Sequence, residues 1–335
     1  MLCLKKCVIY LLASAFLLMS AASVRSADLA PLSISMESYP YPYPVSFLPL
    51  AIEGQDLRMA YMDVAPVEQP NGKSVVLLHG KNFFGAYWRD TIEVLSKEGY
   101  RVVVPDQLGF GKSSRPNIHY SFHLFAANTK KLLDTLGIRQ AAVVGHSMGG
   151  MLATRFALLY PHATSALVLD NPIGLEDYRE LVPYISLEEA YQNELNASED
   201  AIRNYIKTYF VTWKPAYEEY ADVAIRMRKS GEYPRQALSS ALTYQMIYEQ
   251  PVCHEFPYVS ARTLLIIGQS DRTVVGKARM KKELLSVAGN YPELGRRTAK
   301  LIPHATLVEV PNAGHIPRFE FPALYHQELL RFLKG

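Results

Sequence analysis

Short, continuous apolar runs recur along this chain, and each is followed by enough residues for one helix. Ser74-Val75-Val76-Leu77-Leu78, Arg101-Val102-Val103-Val104, Ala141-Ala142-Val143-Val144, Ala166-Leu167-Val168-Leu169 and Thr263-Leu264-Leu265-Ile266-Ile267 are apolar at consecutive rather than alternate positions. A strand of that kind must be covered on both faces, as in a parallel sheet between two helical layers. Residues 57–63 and 306–310 read as further strands. Helical patterns occupy residues 88–97, 122–136, 148–159, 277–287, 292–301 and 322–333. The alternation predicts an α/β fold with a doubly wound, mostly parallel sheet, which takes ligands beyond the carboxyl ends of its strands. With 335 residues, 49% of them hydrophobic, the chain has enough material for such a core without disulfides.

Two stretches depart from the alternation. Residues 171–259 are polar, tyrosine-rich and helical in pattern, and Ser198 ahead of Glu199-Asp200-Ala201 has the form of a helix start. They read as a helical cap inserted between two core strands and overhanging the carboxyl edge of the sheet. Residues 27–50 contain Tyr39-Pro40-Tyr41-Pro42-Tyr43-Pro44, whose alternating prolines favour extended backbone. They read as a tether, or as a segment lying along the surface, ahead of a core domain at residues 51–335.

The first 26 residues have the form of a secretory signal peptide. Lys5 and Lys6 precede an apolar run over residues 8–19, too short for an ordinary membrane span, and small residues follow over 20–27. Val24-Arg25-Ser26 and Ser20-Ala21-Ala22 are alternative cleavage signals. The expected destination is a periplasm or the cell exterior, with no stable membrane insertion after signal removal. Lys5, Lys6 and Arg25 leave with the signal and no acidic residue does, which takes the formal net charge from +3 to 0. The basic balance is therefore no argument for a nucleic-acid partner. Cys3 and Cys7 leave as well, so Cys253 stands alone and a disulfide within the mature chain is excluded.

One turn between a strand and a helix carries chemistry. Gly145-His146-Ser147-Met148-Gly149 follows the apolar run at 141–144 and precedes a helix-friendly run at 150–157. A serine on so sharp a turn stands clear of the sheet with its hydroxyl exposed, and flanking glycines let the backbone pass close by. A serine hydroxyl is a weak nucleophile until a base takes its proton, so this chemistry needs an imidazole and a group to orient it.

Four motifs, in this order, resemble those of the α/β-hydrolase fold superfamily, over roughly residues 50–335. They are Leu77-Leu78-His79-Gly80, the run Pro105-Asp106-Gln107-Leu108-Gly109-Phe110-Gly111-Lys112-Ser113-Ser114, the turn at 145–149, and Pro311-Asn312-Ala313-Gly314-His315. The resemblance implies Ser147 as nucleophile, His315 as base and Asp271 as the acid that orients it, with Asp170 the other candidate for the acid. It also implies an oxyanion hole formed by the backbone N–H of Met148 and that of Lys81, or of Asn82 in its place. Phe83, Phe84, Tyr87 and Trp88 belong either to an acyl pocket or to the core. The chemistry calls for no cofactor and no metal, and Gly109-Phe110-Gly111 is a turn rather than a dinucleotide-binding fingerprint.

Serine rather than aspartate at the turn argues against dehalogenase and epoxide-hydrolase chemistry. The expected reaction is hydrolysis of a carboxylic ester or lactone, with a small-molecule acyl substrate. The same side chains serve an aminopeptidase of the proline-iminopeptidase kind, a carbon–carbon bond hydrolase or a perhydrolase. Glu188, Glu189, Glu194, Glu218 and Glu219 are candidates to hold a free amine if the peptidase reading applies. A ligand-binding protein on a disabled hydrolase fold is the non-enzymatic rival.

Overall fold

The computed structural model describes residues 29–335, so the expected signal peptide lies outside the described residues. Among these residues there is one eight-stranded sheet, formed by β1 (Val45–Ile52), β2 (Gln55–Val64), β3 (Ser74–Leu78), β4 (Arg101–Pro105), β5 (Ala141–His146), β6 (Thr164–Asp170), β7 (Thr263–Gly268) and β8 (Ala305–Val310). The spatial order is β1-β2-β4-β3-β5-β6-β7-β8. β1 and β2 run antiparallel to their neighbours, and every pairing from β4 onward is parallel.

Helices cover both faces. α1 (Arg89–Lys97) lies between β3 and β4, α2 (Phe122–Thr135) before β5, and α3 (Met148–Leu159) between β5 and β6. The segment between β6 and β7 carries α4 (Tyr178–Leu181), α5 (Leu187–Asn196), α6 (Glu199–Lys207), α7 (Glu218–Arg228) and α8 (Tyr233–Glu249). α9 (Tyr291–Leu301), α10 (Pro317–Glu320) and α11 (Pro322–Lys334) complete the chain. Ser198 accepts a hydrogen bond from the Ala201 amide at 3.1 Å and so caps α6.

Consecutive apolar residues in the strands divide between two cores, as covering both faces requires. Val76, Leu78, Val143, Leu167, Leu169, Leu265 and Ile267 pack with α2, α3 and α9. Their neighbours Val75, Leu77, Val144, Val168, Leu264 and Ile266 pack with α1 and α11.

Two sequence expectations are corrected. Residues 27–50 are not a tether over their described part. Val45–Ile52 is the edge strand β1, and Leu32, Met36 and Tyr39 are buried against Phe84 of the core and Val223 of α7. The Leu32 amide donates to the Arg226 carbonyl, the Arg226 guanidinium donates to Ala30, and the Tyr41 hydroxyl donates to Asp106 at 2.6 Å. Residues 277–287 are two single turns of 3₁₀ helix, Lys277–Arg279 and Lys282–Leu284, instead of one α-helix. There the buried Met280 adopts extended backbone and Arg279 hydrogen-bonds to Tyr244 of α8, so tertiary contacts override local propensity. No helix among the described residues is long and apolar enough to cross a membrane.

Candidate active site

The turn after β5 places Ser147 at the mouth of the sheet. Its backbone stands at φ 56° and ψ −122°, a left-handed conformation that costs an L-residue energy, and α3 opens at the next residue. A side chain at Gly149 would strike the carbonyls of Leu78 and His79, so the turn closes on the end of β3 only because residue 149 is glycine. Gly80 approaches the same point from the other side, where an added Cβ would lie 3.1 Å from that of Ser147.

Three side chains from separate strand ends meet here. Ser147 Oγ lies 2.9 Å from His315 Nε2, and His315 Nδ1 donates to Asp271 Oδ2 at 2.7 Å. Asp271 is 2% exposed and His315 1%, so the bond between them acts in a low dielectric, while Ser147 keeps 7% exposure. Asp271 also accepts from the Thr273 amide at 2.9 Å, the Thr273 hydroxyl at 2.7 Å and Asn171 Nδ2 at 2.8 Å. Burial alone would push its carboxyl up. The facing imidazole and these donors outweigh that and hold it below the usual carboxylate range.

Asp170, the other acid candidate, is occupied elsewhere. Its carboxylate accepts from Arg318 Nη1 at 2.7 Å, and the guanidinium lies 4.1 Å from the Tyr87 ring and 4.0 Å from that of Trp88. Burial raises the Asp170 carboxyl, and Arg318 opposes the rise. The backbone carbonyl of Asp170 accepts the Ser147 amide at 3.2 Å.

Met148 stands at the first position of α3, where helix amides have no partner within the helix. Lys81 follows Gly80 in the loop beside Ser147. Its ammonium reaches the cap, at 3.2 Å from Glu194 of α5 and 2.8 Å from Ser240 of α8. Asn82 Nδ2 donates to the Tyr209 hydroxyl at 2.6 Å. Of the four aromatics after Asn82, all are buried: Phe83, Tyr87 and Trp88 lie in the core, and Phe84 lies under the N-terminal segment.

Several residues that complete the site belong to none of the sequence motifs. Asn171, at φ 37°, donates to Asp271 and accepts the Gly268 amide at 2.6 Å, binding the end of β6 to the acid loop. An asparagine directly after a strand is the only trace it leaves in the sequence. Tyr209 of the cap covers the imidazole at 4.9 Å between ring centroids, and its carbonyl accepts the His315 amide at 2.8 Å. Glu320 accepts from the Val211 amide of the cap at 2.9 Å and from the Gly314 amide of the histidine loop at 2.6 Å.

Comparison with known proteins adds the lineage. The family model described as alpha/beta hydrolase fold matches residues 73–322. A solved structure of a probable hydrolytic enzyme from Pseudomonas aeruginosa superposes with a TM-score of 0.88 at 46% identity, covering 90% of this chain and 98% of that one. The AB hydrolase superfamily protein YfhM of Bacillus subtilis is 24% identical over 287 residues, 82% of this chain and 94% of that protein. The 2-hydroxy-6-oxo-2,4-heptadienoate hydrolase of Pseudomonas putida is 38% identical over 108 residues, which span 31% of this chain and only 39% of that enzyme. A family match from β3 through the cap and the histidine loop, with a relative close to half identical over nearly its whole length, makes this chain a member of the α/β-hydrolase fold family and an enzyme of the hydrolase class.

Proposed function

We propose that the protein is a serine hydrolase that cleaves a carboxylic ester or lactone through an acyl-serine intermediate. The observation that carries this reading is the unbroken chain of contacts from Ser147 Oγ through the His315 imidazole to Asp271. His315 Nε2 takes the hydroxyl proton as Oγ attacks the carbonyl carbon, and Asp271 holds the imidazole in the tautomer with its proton on Nδ1. The carbonyl oxygen becomes an oxyanion, for which the amides of Met148 and Lys81 are the donors; each such donor contributes about 3–4 kcal/mol. His315 then protonates the leaving alkoxide and activates the water that releases the acid. Both half-reactions balance without any further group.

A fluorophosphonate probe tests the nucleophile. The expected result is labelling of the purified protein that disappears in Ser147→Ala. A wild type that resists labelling would return the chain to the ligand-binding rival. A panel of p-nitrophenyl esters, lactones, aminoacyl amides and dienoate ketones tests the substrate class. Turnover confined to the amides or the ketones would overturn the ester reading. The N-terminal charge and apolar pattern supports export to a periplasm or beyond, and cell fractionation with N-terminal sequencing of the recovered protein checks it.

A further inference from the structure

His146, the residue before the serine of the turn, is fully buried, and its ring nitrogens hydrogen-bond to the Tyr87 hydroxyl and the His315 carbonyl rather than to Ser147 or Asp271. Its hydrogen bonds leave it one arrangement. The His315 carbonyl, 2.9 Å from His146 Nε2, can only accept, so Nε2 carries the proton of the neutral ring; Nδ1 then accepts from the Tyr87 hydroxyl at 3.0 Å, whose oxygen accepts the Gly80 amide, also at 3.0 Å. Each of the two key residues is held through both of its backbone polar groups. At His315 the amide is held by Tyr209 and the carbonyl by His146. At Gly80 the amide is held by Tyr87 and the carbonyl accepts from His79 Nδ1 at 3.0 Å.

We propose that His146 is a positioning residue which, through Tyr87, locks the loop carrying the histidine base to the loop after β3 that carries the oxyanion donor Lys81. The two loops come from β8 and β3, distant in sequence, and this path of three hydrogen bonds joins them beneath the serine. The path works only with a neutral imidazole. Burial, reinforced by the nearby Arg318 guanidinium and by His315, holds His146 well below the usual histidine range. A misplacement of about 1 Å at a reacting group costs on the order of a hundredfold in rate. This inference rests on the reading of Ser147 and His315 as the reacting pair.

The test is steady-state kinetics on His146→Leu, His146→Gln and Tyr87→Phe, with rates divided by the number of sites titrated by a fluorophosphonate. Titration counts only assembled sites, so simple unfolding lowers the count and leaves the rate per site unchanged. His146→Leu is expected to lower kcat per site by about 10- to 100-fold with KM within about twofold. His146→Gln keeps an amide donor for the His315 carbonyl and is expected to restore most of the loss. Tyr87→Phe keeps the ring over Arg318, breaks the link to Gly80, and is expected to fall between. Per-site kcat within about twofold of wild type in both His146→Leu and Tyr87→Phe would overturn the proposal. If His146→Leu yields no titratable sites, Tyr87→Phe decides by the same criterion. Full activity in Ser147→Ala would sink the hydrolase mechanism itself, an outcome separate from failure of the positioning role.

Discussion

Two buried aspartates stand near one imidazole, and their partners separate their roles. Asp271 faces His315 Nδ1, whereas Asp170 faces Arg318. Asp271→Asn is expected to lower kcat by about 10³–10⁴-fold, because an amide cannot fix the required tautomer. Asp170→Asn leaves the Ser147–His315–Asp271 contacts in place but strands a buried guanidinium, and is expected to cost about 3–5 kcal/mol of stability. Kinetics and denaturant titration on the two variants read the split; a kcat loss in Asp170→Asn as large as that in Asp271→Asn would contradict it. Ser147 carries a second residue-scale cost in its backbone, at φ 56° and ψ −122°. That is the conformation of the first central residue in a type II′ turn, which glycine favours. Ser147→Gly is therefore expected to be about 1 kcal/mol more stable than Ser147→Ala, measured by the same titration. The sequence pointed to Ser147, Asp271 and His315 because each sits in a short motif at a strand end. Asn171, Tyr209 and Glu320 carry no such motif, since what makes them part of the site is a contact across the fold.

At the scale of elements, legibility follows how many faces a segment buries. β3 to β7 were evident as apolar runs because helices cover them on both sides. β1 was not, because it lies at the sheet edge and buries only Leu48 and Leu50, with Pro44 just before it and Pro49 within it. An edge strand tolerates proline, whose missing N–H costs nothing on an unpaired side, so a proline-rich sequence concealed a strand. The segment before β1 shows the same effect in stronger form. Its Tyr-Pro pattern suggests a spacer, yet Leu32 and Met36 are fully buried between the cap and the loop at Phe84. The segment thus joins α7 of the cap to the core. Leu32→Ala is expected to cost about 2–5 kcal/mol, where the same change in a tether would cost nothing. Thermal melting checks the stability loss, and increased proteolytic cleavage within residues 171–259 would show that the cap is the part released.

For the whole molecule, the buried histidines set how stability depends on pH. His79 and His146 are both held below the usual histidine range, chiefly by burial. In the unfolded chain each titrates near about 6.5. Below that pH the unfolded state binds more protons than the folded one, so stability is complete above it and declines as pH falls. Each such histidine contributes a slope of about 1.4 kcal/mol per pH unit once its unfolded form is fully protonated. Asp271, held low, acts in the same sense in the more acidic carboxylate window, and Asp170, raised by burial, acts in the opposite sense. Comparing wild type with His146→Gln cancels every group the two proteins share. The unfolding free energies, measured by denaturant titration at pH 8, 7, 6 and 5, are expected to converge as pH falls, because only the wild type must keep residue 146 uncharged. Parallel curves across that range would mean that His146 takes up its proton in the folded state. The hydrogen bond between Tyr87 and Nδ1 would then be broken, and the link between the Gly80 loop and the His315 loop would be lost with it.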